Sequence, residues 1–165
     1  MIFIFSAPTV NMIKENISIC KVYPDTQMAA QLLDYVQGFS WVEVKEHTIN
    51  QIESWNFSEW ETPFVAITDG RIIGMATIMK SDYYPLPDIF PWISTIFVSE
   101  AYRGHRISGQ LIDYANRYAK KLGFIKTYIP SEHKGLYEKY GYIYLRDIMN
   151  YGGGIDHLYM KEIVE

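Results

Sequence analysis

The run Trp92-Ile-Ser-Thr-Ile-Phe-Val98, continued by Ser99-Glu-Ala-Tyr-Arg-Gly104-His-Arg-Ile-Ser-Gly109, constrains the fold more than any other stretch. Its first half is apolar and β-branched, the make-up of a buried strand. Its second half opens an amphipathic helical pattern. Ile107, Leu111, Tyr114, Ala115, Tyr118 and Leu122 share one face, and Asp113, Asn116, Arg117, Lys120 and Lys121 lie opposite. A strand feeding a turn with two glycines and then a helix start gathers free backbone N–H groups at one point. That point favours a phosphorylated ligand.

The elements around it follow from periodicity and turn chemistry. Ile17 to Tyr23 alternates as a strand, and Pro24-Asp25 opens a helix with Met28, Leu32, Leu33 and Val36 on one face, ended by Gly38. A second helix is expected over about His47 to Trp60. Pro63 to Thr68 and Arg71 to Lys80 read as strands joined at Asp69-Gly70, a hairpin signal. The loop Ser81 to Pro91 leads into the central strand, and Gly123 stops the central helix. Beyond it come a strand from Ile125 to Ile129 and a helix from Ser131 to Tyr140. Two last strands, Tyr142 to Arg146 and Leu158 to Ile163, flank the glycine-rich Asn150 to Asp156. The order is β-α-α-β-β-β-α-β-α-β-β, an α/β domain around a mixed sheet. It spans 17–165, preceded by an N-terminal apolar extension over 1–16.

Composition narrows the function. A chain of 165 residues that is 48% hydrophobic can build one sizeable core. A net charge of −4 argues against nucleic acid. Arg103, Arg106, Arg117, Lys120, Lys121 and Lys126 form a local basic group that suits a small polyanion, although the last turns of a solvated helix would look the same. Cys20, the only cysteine, excludes an internal disulfide and a thiolate metal cluster, and no metal is expected. Met1-Ile-Phe-Ile-Phe5 is apolar but too short to span a membrane and lacks a basic leader, so no membrane association and a cytoplasmic location are expected.

Two motifs resemble the GNAT superfamily of N-acetyltransferases, over roughly Ile17 to Ile163. That family's acyl-coenzyme A loop, Gln/Arg-x-x-Gly-x-Gly/Ala after the fourth strand, stands here as Arg103-Gly104-His105-Arg106-Ile107-Ser108. Arg106 replaces the central glycine and Ser108 the final small residue. Backbone N–H groups hold the pyrophosphate in such a loop, so the departures leave its chemistry in place. The second motif, His133-Lys-Gly-Leu-Tyr137-Glu-Lys-Tyr-Gly141-Tyr142, is similar to the family's fourth helix and the strand after it.

The resemblance implies an acetyl-CoA-dependent N-acetyltransferase with acetyl-CoA as co-substrate and a small amine as acceptor. It implies a coenzyme site made by Ile96, Phe97, Val98, Arg103, Gly104, His105, Arg106, Ile107, Ser108 and Gly109. One N–H of the strand would face the thioester carbonyl, a contact of about 3 kcal/mol in an oxyanion hole. Tyr137 falls on the general-acid position, and its phenol, of ordinary pKa about 10, is protonated at neutral pH and can donate to the leaving thiolate. His133, one helical turn earlier, would orient that phenol, touch the pantetheine or shuttle a proton; a surface histidine explains it equally well. Tyr140 and Tyr142 suit a packing role.

The acceptor side is less legible. Many relatives keep a Glu on the fourth strand as base, whereas Trp92 to Val98 offers only Ser94 and Thr95. Asp88, Asp82, Glu43 or a chain of waters are the alternatives. Trp41, Trp55, Trp60, Tyr83, Tyr84 and Trp92, with Asp82, Asp88 and Asp156, suggest an aromatic, acidic pocket for a cationic amine. A protein amine is the nearest variant, and a non-catalytic acyl-CoA-binding or sensing module is the alternative class. An unrelated nucleotide-binding domain is disfavoured by the lack of a P-loop and of an intact Gly-x-Gly-x-x-Gly. Dimers are common in the family, but no sequence feature establishes a homodimer here.

Overall fold

The computed structural model describes residues 16–164, so the expected apolar extension lies outside the described residues apart from Asn16. Among the described residues, seven strands form one sheet in the order β1-β2-β3-β4-β5-β7-β6. They are β1 (Ser18–Lys21), β2 (Thr62–Thr68), β3 (Arg71–Met79), β4 (Trp92–Val98), β5 (Lys126–Ser131), β6 (Ile143–Met149) and β7 (Ile155–Glu162). Neighbours run antiparallel except β4 and β5, which are parallel and joined through helix α3 (Ile107–Lys121).

Helices α1 (Gln27–Gln37) and α2 (Val42–Glu53) cover one face and α3 the other. Strand β2 is therefore buried on both sides. Phe64 and Ala66 join Leu111, Ile112, Ala115 and Ala119 of α3, while Val65 joins Leu32, Val36 and Ile52 of the first two helices. The β2–β3 turn takes left-handed φ at both Asp69 and Gly70, +49° and +72°, as a twist-matched hairpin requires. Thr26 caps α1 by accepting from the Ala29 N–H at 3.1 Å. Among the described residues, no helix is long and apolar enough to cross a membrane.

Three expected elements need correction. The second helix starts earlier and stops at Glu53, because Trp55 turns left-handed (φ +45°) and its ring folds onto Phe57, centroids 5.0 Å apart. Aromatic spacing there reflects a chain folding back, not a helical face. The helix expected over Ser131 to Tyr140 is absent. Ser131 ends β5, its Oγ takes the His133 N–H at 2.9 Å, and Gly135 sits at φ +85°, leaving only a 3₁₀ turn at Tyr137–Tyr140. The β6–β7 hairpin is longer than expected. Asn150 Oδ1 accepts from the N–H groups of Gly152 and Gly154 at 2.9 and 3.0 Å, closing the turn within five residues and letting both strands extend.

Candidate active site

Strand β4 carries one residue more than its partner. Ser94 pairs with Thr77 and Phe97 with Met75, and the extra residue falls at Thr95, whose φ is +48°. A β-branched residue rarely adopts that conformation, and such bulges re-aim a strand at functional sites. On its other edge β4 meets β5 through a single rung, Trp92 opposite Tyr128, with the Tyr128 N–H donating to Pro91 O at 3.0 Å. Beyond it, among the described residues, the two strands have no further pairing. Parallel strands that part at their carboxyl ends open a slot for an extended ligand.

The slot runs toward the start of α3. Arg106 is the N-cap there, in the left-handed region (φ +59°, ψ +28°), and no side chain caps the first turn. The N–H groups of Ile107, Ser108 and Gly109 thus lack intrahelical acceptors, as an anion site requires. Gly104 is also left-handed, at +83°. His105 is half-buried and Arg106 exposed. Arg103 braces the turn: its Nε donates to Val98 O at 3.0 Å and its guanidinium lies 5.6 Å from the Phe97 ring centre. Phe97 stacks on Phe39 at 4.0 Å, and Tyr35 of α1 bonds Ser99 at 2.8 Å, so the end of β4 is fixed from the α1 side. Ile96 and Val98 pack on the α3 side, where Ile107 is buried.

Tyr137 opens the 3₁₀ turn and is buried. The Ser131 side chain, at the last residue of β5, lies close enough to favour the phenol's ionised form, so Tyr137 sits near the open end of that strand. Burial pushes its pKa up to about 12, keeping the proton available at neutral pH. His133 is exposed, and its carbonyl accepts from the Tyr159 hydroxyl at 3.0 Å. With no helix there, the one-turn alignment of His133 with Tyr137 does not exist. Tyr140 bonds Ser108 at 3.1 Å, joining this turn to the start of α3. Tyr142 is fully buried, its hydroxyl 2.7 Å from Thr127 Oγ1 and 3.2 Å from Asn116.

On the α2 side of the sheet the Ser81 to Pro91 loop folds onto β4 and β7. Ser94 Oγ donates a short hydrogen bond to Asp82, whose other carboxylate oxygen accepts from the Tyr83 N–H at 2.6 Å. Tyr84 stacks on buried Trp92, centroids 5.4 Å apart, and donates to Asp156 Oδ2 at 2.7 Å. Asn150 Nδ2 reaches the same oxygen at 3.3 Å. Burial raises the Asp82 pKa above the ordinary carboxylate range. Glu43 and Asp88 are exposed and make no such contact with β4. Trp55 and Trp60 pack on the cores, the latter against Phe124, and Trp92 is fully buried beneath Tyr84, so of the rings expected here Trp41, Tyr83 and Tyr84 keep exposed surface. The Asp82–Ser94 pairing had no local sequence signal, since the partners are twelve residues apart across a proline-rich loop.

A bulged strand leaving its parallel neighbour beneath an uncapped helix start defines an α/β fold suited to an extended, phosphate-bearing ligand. A family model described as acetyltransferase (GNAT) domain matches residues 59–144, more than half of the chain. The chain belongs to the GNAT acetyltransferases, enzymes whose acetyl donor is acetyl-CoA. Solved structures agree on the fold. An aminoglycoside 6'-N-acetyltransferase complexed with coenzyme A aligns at TM-score 0.69 and 16% identity, covering 90% of this chain and 98% of that one. An aminoglycoside 6'-N-acetyltransferase from Enterococcus faecium gives 0.68 and 16% over the same shares. A GNAT family acetyltransferase from Elizabethkingia anophelis with acetyl-CoA bound gives 0.60 and 21%, covering 90% and 99%. No curated protein matches the sequence.

Proposed function

We propose that the protein transfers the acetyl group of acetyl-CoA to the primary amine of a small cationic molecule by direct attack. The observation that carries this reading is the single Trp92–Tyr128 rung, beyond which β4 and β5 part below the α3 N-terminus. The pantetheine arm lies in that slot beside Ile96, Phe97 and Val98, and its pyrophosphate meets the N–H groups of the turn from Arg103 to Gly109. Tyr137, beside Ser131 at the end of β5, donates its proton to the leaving thiolate. The acceptor enters from the α2 side, where Asp82, Asp156 and Tyr84 supply negative charge and an aromatic wall. The aminoglycoside acetyltransferases of the same fold also carry acceptors rich in amines in their names, which supports a small cation over a protein.

Calorimetric titration with acetyl-CoA, followed by a thiol-release screen over small amines, tests the reading. Wild type is expected to bind at micromolar concentration and to turn over at least one cationic amine. Tyr137→Phe is expected to bind acetyl-CoA equally and lose about 100-fold or more in kcat, the usual size of a general-acid contribution. Absent binding, or full turnover in Tyr137→Phe, would overturn it.

A further inference from the structure

An ammonium acceptor must lose a proton before its nitrogen can attack, yet β4 has no carboxylate of its own. We propose that Asp82, delivered from the β3–β4 loop and docked on Ser94, is the general base. The assignment rests on the acetyl-transfer reading above and names the group that completes it.

Four carboxylates compete for the role on this side, and geometry separates them. Glu43 and Asp88 point into solvent. Asp156 is buried, but Tyr84 and Asn150 both donate to its Oδ2, so it serves to hold the loop. Asp82 alone is fastened to β4, through Ser94, the residue immediately before the left-handed Thr95 at which the strand leaves its regular path. A side chain held there stands at the acceptor face of the slot.

The holding is rigid, as a base requires. The Tyr83 N–H orients one carboxylate oxygen and Ser94 the other. Tyr84 is stacked on Trp92 and bonded to Asp156, and the Tyr151 N–H reaches Tyr83 O at 3.2 Å, tying the loop to β4 and to the β6–β7 turn. The charged groups facing Asp82 are His47 from α2, which favours its ionised form, and Asp156 from β7, which opposes it. Burial opposes ionisation more strongly, and Ser94 counteracts it.

In the step itself Asp82 takes one proton from the incoming ammonium. The freed lone pair forms the C–N bond to the thioester carbonyl carbon as the C–S bond breaks. The departing sulfur takes the Tyr137 phenolic proton, and the second proton lost from nitrogen returns to that phenol through water. Asp82 then releases its proton to solvent, so the balance is one amide, one thiol and one proton.

The test uses the intact chain and the best amine of the thiol-release screen. Asp82→Asn is expected to bind acetyl-CoA as wild type does and to lose at least 100-fold in kcat, with the acid limb of its kcat/KM profile abolished. Ser94→Ala, which removes the bond favouring the ionised carboxylate, is expected to move that limb to higher pH while turnover persists. Turnover in Asp82→Asn within a few-fold of wild type, with its acid limb in place, would overturn the proposal. Should Asp82→Asn fail to fold, Ser94→Ala decides alone: a limb shifted upward supports Asp82, and an unmoved limb overturns it. A wild type that releases no thiol with any amine fails at the earlier reading instead, which keeps the two apart.

Discussion

The ring of Tyr140 lies against Gly109 so closely that a β-carbon at residue 109 would stand 2.5 Å from Cε1 and 3.1 Å from Cδ1 and Cζ. The same phenol bonds Ser108. One tyrosine therefore fastens the first turn of α3, where the coenzyme phosphates are expected, to the 3₁₀ turn that carries Tyr137 three residues earlier. The donor's two ends are thereby held in one geometry, the positioning on which acyl transfer depends.

Gly109→Ala should consequently cost more than a helical glycine-to-alanine change normally gains, about 1 kcal/mol. Overpacking against an aromatic ring costs about 1–3 kcal/mol, and the Ser108 bond is lost as the ring moves. The expected outcome is a lower Tm and a lower kcat. Combining it with Tyr140→Ala, which empties the space, should cost less than the sum of the two single changes. Additive losses in thermal unfolding would show that the contact is not what holds the turn.

The central turn was legible because three short-range signals agree there: a β-branched run, paired glycines and a helical face. The hairpin at Asp69-Gly70 was legible for the same reason, since both residues accept positive φ. The stretch from Ser131 to Tyr140 was not. Its apolar spacing imitates a helix, but the Ser131 side chain captures the His133 N–H and Gly135 breaks the repeat, so local side-chain chemistry prevailed over periodicity. The loss of that helix also removed the argument for His133. The Asp82–Ser94 pair was illegible for a different reason: it is a tertiary contact made by a loop whose path is set by Tyr84 stacking on Trp92. Charge and aromaticity marked the region but could not choose among its carboxylates.

Arg106 stands where the resembling motif keeps glycine, and it adopts the left-handed conformation that glycine would take. A side chain in that region carries a penalty of about 1–2 kcal/mol, partly offset by the greater unfolded-state entropy of glycine. Arg106→Gly should therefore raise stability by up to about 1 kcal/mol, whereas Arg106→Ala should not. Both remove an exposed guanidinium at the mouth of the phosphate turn. Calorimetry should find acetyl-CoA affinity reduced several-fold, equally in both variants and with a weaker salt dependence than wild type. Undiminished affinity in Arg106→Gly would mean that the backbone alone holds the phosphates.

Tyr142 closes a buried triad in which Thr127 Oγ1 donates to Asn116 Oδ1 at 2.6 Å and the phenol lies 2.7 Å from the same threonine oxygen. Tyr142→Phe keeps the ring but takes from buried Asn116 Nδ2 its acceptor, while Thr127 keeps its bond to Asn116 Oδ1, at a cost of about 1–3 kcal/mol at neutral pH. Burial first, against the favourable bonds from Thr127 and Asn116, pushes the Tyr142 pKa up to about 12. A phenol held above its ordinary value of about 10 stabilises the fold fully below pH 10. That contribution is lost as pH climbs from about 10 to 12, because the unfolded chain gives up its proton first. Wild-type Tm should thus fall steeply across that window, with Tyr137, also raised to about 12, adding to the slope. Tyr142→Phe lacks one of these tyrosine titrations, so its Tm should start lower at pH 7 and fall less, the two curves converging near pH 12. Parallel curves in alkaline thermal melts would show that the Tyr142 hydroxyl carries no such linkage.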